Sequence, residues 1–113
     1  MHFRNATRAQ DLAVRAQIAR TVFRRLRGLL FSRPLEPGEA LYLERCTGIH
    51  MIGMTYAIDA VFLDRLWRVV ATVESIQPGQ ISAVYSQAYG CLELPAGTIA
   101  ATATAVGDQI EVW

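Results

Sequence analysis

Short apolar stretches separated by turn-forming residues run along most of the chain. In residues 11–19 (DLAVRAQIA), apolar side chains at positions 12, 14 and 18 alternate with Arg15 and Gln17. Alternation of this kind is typical of a strand with one buried side. By the same criteria, and with turns at 64–67 and 77–80, we predict further strands at 40–46, 49–54, 57–63, 67–75, 80–86 and 89–94.

The spacing of apolar residues changes between positions 21 and 31. Side chains at 23, 26 and 30 share one helical face, and arginines at 20, 24 and 27 share the other. Thr21 can cap the first turn by accepting a hydrogen bond from a backbone N–H, and Pro34 ends the pattern. We therefore predict a short amphipathic helix, in which Gly28 marks the close approach of another backbone.

The last part of the chain mixes helical and turn signals. Alanines in PAGTIAATATAVGD favour a helix, whereas three threonines oppose it. We predict a short helix at 98–104 after Gly97, a tight turn at Gly107 and Asp108, and a closing strand at 109–113. Two short helices among many short strands indicate an α+β domain that is mostly antiparallel β and barrel-like, because closure protects exposed strand edges.

The size and composition of the chain fit one domain spanning residues 1–113. Apolar residues make up 52% of it, which is enough for a core that needs no disulfide or metal to fold. No apolar run approaches the roughly 20 residues of a transmembrane helix. The first twenty residues contain arginines and no apolar signal-peptide core, so we expect a soluble, cytoplasmic protein.

Charge is distributed unevenly, although the net charge is only +1. Every basic residue is an arginine. Residues 1–33 contain eight arginines and one acid, a net of +7, whereas residues 34–113 contain three arginines and nine acids, a net of −6. Such asymmetry can mark an anionic partner. It also fits two parts of a fold that pair with each other, and the near-zero total favours this second interpretation.

The two cysteines, Cys46 and Cys91, fit neither a zinc ribbon nor a CxxC redox motif. In a reducing compartment both stay as thiols. A cysteine of this kind usually packs as a small hydrophobe. We therefore expect packing roles for both, with a reactive thiol, a metal ligand or a disulfide as the alternatives.

The stretch richest in chemistry is residues 46–64, CTGIHMIGMTYAIDAVFLD. Cys46, His50, Met51 and Met54 offer soft donors that would suit Cu(I). Along an extended chain, however, this set spans roughly 26 Å at about 3.3 Å per residue, and Met51 faces the other way. A single ion cannot bridge that distance without a turn, so we predict no metal site and no cofactor.

A cysteine–histidine catalytic pair is a second candidate in this stretch. It needs a thiol and an imidazole within hydrogen-bonding distance, and a third group that orients the base. Cys46 and His50 would be about 13 Å apart on a strand, and Cys91 would have to come from another strand. The sequence therefore favours a structural His50, hydrogen-bonded to the backbone, over a catalytic one.

Two acidic residues lie within apolar strands, Asp59 in AIDAVFLD and Glu93 in CLELP. An unpaired charge is costly to bury, so Asp59 is expected to pair with Arg25 or Arg27 of the predicted helix. The alternative is a pocket that binds a small polar ligand through His50, Asp59, Glu93 and Arg25.

Five pieces occur in order across nearly the whole chain: RNAT near the start, RLRGLLFSRPL at 25–35, CxxIHxxxMxxxIDxVFLD at 46–64, CLELPAGT at 91–98 and GDQIEV at 107–112. Together they resemble the uncharacterised family called domain of unknown function one hundred and ninety-two. The resemblance implies a mostly β, barrel-like α+β fold and no particular activity. Ile52 and Ala57 depart from the family, many members of which have an aromatic residue and a proline there.

We predict that the protein binds a small polar ligand or a protein partner and does not act by catalysis. The proposed ligand-binding residues are His50, Asp59, Glu93 and Arg25, and the proposed structural residues are Gly28, Gly97, Gly107, Asp108 and Cys46. The alternatives are a hydrolase-like enzyme using His50 with Asp59 or Cys46, and a scaffold without a ligand. Nucleic acid and membrane surfaces are not favoured, because no stacking aromatic residues accompany the arginine-rich helix and its apolar side is needed for the core.

Overall fold

The computed structural model describes residues 1–21, 29 and 32–113. Most of the first predicted helix, including Arg25, Arg27 and Gly28, lies outside the described residues. The described part forms one short helix, α1 (Thr98–Thr102), and eight strands. The strands are β1 (Phe3–Asn5), β2 (Gln10–Ala13), β3 (Arg15–Ala19), β4 (Glu39–Glu44), β5 (Ile58–Leu63), β6 (Val69–Ile76), β7 (Gly90–Pro95) and β8 (Ile110–Val112).

The strands form two sheets, one of three strands in the order β2-β1-β8 and one of five in the order β3-β4-β7-β5-β6. All pairs are antiparallel except β3 and β4, which are parallel. The prediction of a mostly antiparallel fold is therefore confirmed. The barrel is not supported, because both sheets of the described residues are open, with strands at either edge.

The stretch predicted as one strand at 11–19 forms two strands that belong to different sheets. The chain bends at Val14, between β2 and β3. The N–H groups of Val14 and Arg15 both donate to the carbonyl of Gly38, each at 2.9 Å. This shared acceptor, supplied from the start of β4, directs the chain from the small sheet into the large one. The sequence pattern does not reveal this bend, because apolar and polar residues alternate through Val14 without a break.

Both faces of the five-stranded sheet are buried. We call one the helix face, because α1 and the three-stranded sheet cover it. The other is the loop face, because it packs against loop residues, among them Ile49, Met51, Tyr85 and Ala88. The helix-face core consists of Phe3, Leu12, Ala13, Ala16, Ala40, Tyr42, Val61, Leu63, Val69, Leu92, Leu94, Ile99 and Ile110.

The strands predicted at 49–54 and 80–86 do not form. These segments are loops that run beside each other and share scattered hydrogen bonds, such as that from the N–H of Met51 to the carbonyl of Gln80 at 2.7 Å. Gly53, with a φ of 85°, interrupts the first segment with a turn that β structure does not allow. In the first segment Ile49 and Met51 face the core, whereas Ile81 and Val84 of the second segment are exposed.

The C-terminal part contains the predicted helix, turn and closing strand, but the helix and the strand are shorter than predicted. Helix α1 stops at Thr102, because Ala103 adopts a left-handed conformation with a φ of 54°. A turn at residues 106–107 leads to the closing strand β8. Among the described residues, no helix is long and apolar enough to cross a membrane.

The uneven charge along the chain is partly balanced inside the fold. Three ion pairs join an arginine from residues 1–33 to an acid from residues 34–113, with nitrogen–oxygen distances of 3.0, 3.2 and 2.8 Å. This is the internal pairing that the near-zero net charge favours. The pairs are Arg8–Asp108, Arg20–Glu44 and Arg33–Glu39.

Candidate functional site

Asp59 lies on the helix face of β5 and is fully buried. Its Oδ1 accepts a hydrogen bond from the N–H of Ser75 at 2.8 Å. Its Oδ2 accepts from the N–H of Gly97 at 3.1 Å and from that of Ile99 at 2.8 Å. The last two groups belong to the start of α1, where N–H groups have no partner within the helix. Asp59 therefore holds α1 against the sheet.

The described partners of Asp59 are backbone N–H groups. The predicted Arg25 or Arg27 pairing lies outside the described residues, but three backbone N–H groups already satisfy the carboxylate. Charge-assisted hydrogen bonds of this kind stabilise an ionised acid without a counter-ion. A backbone partner cannot be recognised in the sequence, because every residue except proline offers the same N–H.

Glu93 lies on the opposite side of the same sheet. It belongs to β7, the central strand, and is only 6% exposed. Strand register places it between Leu41 of β4 and Ala60 of β5. Registered neighbours point to the same side of a sheet, and Leu41 and Ala60 belong to the loop-face core. The sequence suggested that Asp59 and Glu93 line one pocket. The register instead places them on opposite faces of the sheet.

A cleft opens at the edge of the loop face where β3 and β4 run parallel. Its volume is about 180 Å³. The register that places Glu93 beside Leu41 also places Leu41 beside Gln17, so Gln17, Leu41 and Glu93 form one row that leads from the edge to the sheet centre. The cleft is lined by Arg15, Gln17, Leu29, Ser32, Arg33, Leu35, Glu39, Ala40 and Leu41.

The mouth of the cleft carries two arginines and one carboxylate. Arg33 binds Glu39 with both guanidinium nitrogens, at 2.8 and 2.9 Å. The hydrogen bond from Arg33, and then the one from the N–H of Glu36, lower the pKa of Glu39 to about 2. Arg15 donates to the carbonyl of Pro37 at 3.2 Å. With Glu39 already paired to Arg33, the described lining residues of the mouth have an excess of one positive charge.

His50 is exposed and lies in the loop between β4 and β5. Its backbone forms an isolated bridge with Ile81. Within the part of the chain that the structure describes, its ring forms no hydrogen bond, and none joins it to Asp59 or Cys46. Among residues 1–21, 29 and 32–113, therefore, neither the expected hydrogen bond of His50 to the backbone nor a His50 pair with Asp59 or Cys46 is present.

Cys46 and Cys91 are brought together, which the sequence did not predict. Both are thiols, and a side-chain hydrogen bond connects them. Complete burial, followed by this hydrogen bond, raises the pKa of the Cys91 thiol well above its usual value. No group of three or more His, Cys, Asp or Glu side chains in the described residues could hold a metal ion.

Three of the predicted structural residues, Gly97, Gly107 and Asp108, occupy turns and contacts near the C-terminal end. Gly97 and Gly107 have φ values of 97° and 94°, which favour glycine. Asp108 is buried, and its Oδ2 accepts hydrogen bonds from Asn5 and Arg8 of the N-terminal region, both at 3.0 Å. These contacts fix both ends of the described chain to each other.

Sequence reasoning missed Arg15 and Gln17 because both fall on the polar side of a half-buried strand. That side faces a cleft only because β4 pairs in parallel with β3 and residues 32–35 pass beside it. The alternation of polar residues is the same for a strand that faces solvent and one that faces a cleft, so it gave no signal.

Comparison with known proteins places the chain in a family. The DUF192 family model, described as an uncharacterised ACR, matches residues 4–112. A UPF0127 protein from Thermococcus sibiricus (strain DSM 12597 / MM 739) is 30% identical over 111 residues, which cover 95% of this chain and 71% of that protein.

Two solved structures share the fold. One is a protein of unknown function from Novosphingobium aromaticivorans DSM 12444, with a TM-score of 0.84 and 20% identity, covering 98% of this chain and 82% of that one. The other is a candidate transcription regulator from Sinorhizobium meliloti 1021, with a TM-score of 0.83 and 22% identity, covering 97% of this chain and 89% of that one. By the family match and the relative in Thermococcus sibiricus, this chain belongs to the uncharacterised DUF192 family.

Proposed function

We propose that the protein is a binding domain for a small organic anion, which enters the cleft between the β3–β4 edge and residues 32–35. The observation that carries this proposal is the row of Gln17, Leu41 and Glu93, which connects an arginine-bearing mouth to a buried carboxyl group at the centre of the sheet. Binding sites typically combine an apolar wall with a few placed polar groups, as here.

The charge of the mouth favours an anionic group on the ligand. Arg33 is held by Glu39, whereas the described contact of Arg15 is to a neutral carbonyl oxygen. A guanidinium can bind a carboxylate or phosphate through two parallel N–H groups. Arg15 is thus the residue that we assign to the anionic group.

The inner part of the cleft favours a short apolar portion on the same ligand. Leu29, Leu35 and Leu41 form its walls, and the Gln17 amide provides both a donor and an acceptor. The volume of about 180 Å³ is below the range of roughly 300–1,000 Å³ for drug-sized ligands. A short-chain or single-ring organic acid fits both the size and the polarity.

This proposal changes the site that the sequence suggested. Glu93 stays in it as the neighbour of Leu41, and Arg25 stays a prediction. His50 and Asp59 have no part in this cleft. The absence of a His50 pair with Asp59 or Cys46 in the described residues supports binding over hydrolysis. We place this function in the cytoplasm, where a contacting thiol pair such as Cys46 and Cys91 stays reduced.

A titration series tests the proposal. Butyrate, succinate and benzoate are titrated into the protein and followed by thermal shift and calorimetry, with butylamine as the cationic control. At least one acid is expected to raise the melting temperature, and butylamine to have no effect. Arg15→Gln should weaken binding by about tenfold or more, which is the effect of losing roughly 1.4 kcal/mol.

Arg4→Gln is the matched control, since Arg4 is also a partly exposed strand arginine but lies in the three-stranded sheet and pairs with Asp11 at 3.1 Å. It should bind the acid as the unchanged protein does. Equal binding by Arg15→Gln, or binding of butylamine in preference to the acids, would overturn the proposal.

A further inference from the structure

The backbone at Arg45 brings the two cysteines onto one face. Leu41 and Leu43 point to the loop face, so strict alternation would put Arg45 on that face and Cys46 on the other. Arg45 instead has a φ of 55°, a left-handed conformation that is rare for a residue with a side chain. One extra residue in a strand reverses the direction of the side chains that follow it.

The hydrogen bonds at this position show the resulting bulge. Strands β4 and β7 pair regularly up to Glu44 and Gly90. The next hydrogen bond runs from the N–H of Cys46 to the carbonyl of Tyr89 at 3.0 Å. Arg45 is therefore the extra, unpaired residue directly after β4. Cys46 then packs against the loop-face core, in which Cys91 is fully buried.

The two thiols differ in access, and both belong to the same loop-face cluster. Cys46 is half-buried, and its Sγ lies 3.1 Å from the carbonyl oxygen of Gly48. Cys91 is inaccessible, and a side-chain hydrogen bond joins it to Cys46. The arrangement therefore combines a partly exposed cysteine and a fully buried one in a single cluster.

We propose that Cys46 and Cys91 are an oxidation site, at which a peroxide converts the contacting thiols into a disulfide within the chain. Cys46, as the accessible thiol, reacts first, and Cys91 resolves the oxidised sulfur. Redox-sensing cysteines have this arrangement of an accessible thiol beside a resolving one. A strained backbone conformation that creates the contact is consistent with a selected feature.

The chemistry balances with hydrogen peroxide as the oxidant. The Cys46 thiolate attacks one peroxide oxygen, so that a sulfur–oxygen bond forms, the oxygen–oxygen bond breaks and hydroxide leaves as water. The Cys91 sulfur then attacks the Cys46 sulfur, its proton goes to the departing hydroxide, and a second water leaves. Two thiols lose two electrons in total, and peroxide gains them. A small dithiol reverses the reaction by thiol–disulfide exchange.

The disulfide would join the start of the loop that contains His50 to the central strand β7. It closes a chain segment from Cys46 to Cys91, which restricts the unfolded state and so raises the melting temperature. Because that loop covers the loop face, oxidation would also hold this cover in place. The proposal concerns this contact alone and does not depend on ligand binding in the cleft.

Mass spectrometry after peroxide treatment tests the proposal. The reduced, folded protein is treated with hydrogen peroxide, blocked with iodoacetamide under denaturing conditions and analysed without reductant. The expected result is a monomer that has lost two hydrogen atoms, takes up no iodoacetamide and yields a Cys46–Cys91 linked peptide. Dithiothreitol should restore both thiols and lower the melting temperature to its starting value.

Two variants separate the roles of the thiols. In Cys91→Ala, peroxide should leave a sulfenic acid on Cys46 that dimedone traps. In Cys46→Ser, the buried Cys91 should stay reduced under the same treatment. Since Cys91→Ala removes a core side chain and can impair folding, linked-peptide mapping of the unchanged protein is the deciding measurement. Overoxidation of Cys46 without a linked peptide, a disulfide between two chains, or two thiols that survive peroxide would each overturn the proposal.

Discussion

The two faces of the five-stranded sheet each bury one carboxyl group, and they use it differently. On the helix face, Asp59 accepts three backbone hydrogen bonds and holds the start of α1. On the loop face, Glu93 lies in the same row as Gln17 and Leu41, which line a cleft. Both acids stand in apolar strands, and Asp59 precedes the residue registered with Glu93, so the sequence makes them look equivalent.

The difference shows how side-chain alternation assigns roles. Moving one residue along a strand changes which layer a side chain enters. Asp59 enters the layer that contains α1, and its carboxylate becomes part of the fold. Glu93 enters the loop-face layer, beside Leu41 of the cleft wall. The comparison leads to four predictions, from the largest expected effect to the smallest.

Replacing Asp59 by asparagine should destabilise the protein most. The asparagine amide would direct N–H groups at backbone N–H groups that now donate to Asp59. Hydrogen bonds to a charged group contribute roughly 1.5–3 kcal/mol each, so the free energy of unfolding should fall by about 3 kcal/mol. Urea unfolding followed by circular dichroism measures it.

Glu93→Gln is the matched change on the loop face and should cost less than half as much, because no helix start depends on Glu93. Its main effect should be on acid binding in the cleft. If the two variants lose equal stability, the distinction between a structural and a recognition carboxyl group fails.

Gly90→Ala should have the second largest effect and act on the helix face. A β-carbon there would overlap the ring of Tyr42 and lie 2.8 Å from the carbonyl oxygen of Leu43. Overpacking of this kind costs about 1–3 kcal/mol. Thermal and urea unfolding should both show the loss, while acid binding in the cleft is retained. A stable Gly90→Ala variant would contradict the packing described for Tyr42.

Acid should destabilise the contacts that join the chain ends. Burial alone would raise the pKa of Asp108, but hydrogen bonds from Arg8 and Asn5 outweigh it and the pKa is lowered. Because the pKa of Asp108 is lower in the folded protein, the unfolded chain takes up this proton at a higher pH than the folded protein does. The stabilisation is therefore complete above the unfolded value of about 3.9 and is lost as the pH falls through the folded value.

Unfolding measured between pH 6 and pH 2 should show this loss, and Asp108→Asn should flatten the curve. Glu39 also has a lowered pKa, of about 2, but its partner Arg33 is mostly exposed. Glu39→Gln should therefore flatten the curve less, because exposed ion pairs contribute little. The opposite ranking would mean that the cleft, and not the chain ends, controls acid stability.

Tyr42→Phe should have the smallest effect and should slightly raise the free energy of unfolding. The Tyr42 hydroxyl is buried without a hydrogen-bond partner in the described structure, and burial raises its pKa. Removing an unsatisfied hydroxyl while keeping the ring is expected to change stability by about 1 kcal/mol or less, in the stabilising direction. Thermal unfolding measures it, and a loss above that size would show that the hydroxyl has a partner in solution. In the Gly90→Ala background the same change should recover part of the lost stability.

Several elements could be predicted from local sequence. The predicted strands at 57–63, 67–75 and 89–94 correspond to β5, β6 and β7 within about two residues, since boundaries are the least certain part of such predictions. Apolar runs bounded by turns identify these strands because burial and turn formation are local properties. The predicted strands at 49–54 and 80–86 were wrong, because apolar residues also occur in loops. Ile49 and Met51 enter the core from a loop, whereas Ile81 and Val84 are exposed.

The sequence by itself determined the family, the mostly antiparallel strands and the two acids that stand out in apolar surroundings. Only the tertiary structure decided what those acids do. The N–H groups that bind Asp59 come from residues 16, 38 and 40 positions away. Cys46 meets Cys91 through a bulge at Arg45, and Arg15 lines a cleft because β3 pairs in parallel with β4. Each of these contacts joins chain segments that are distant in sequence, so no local sequence pattern predicts it. Backbone N–H groups also give no residue-specific signal.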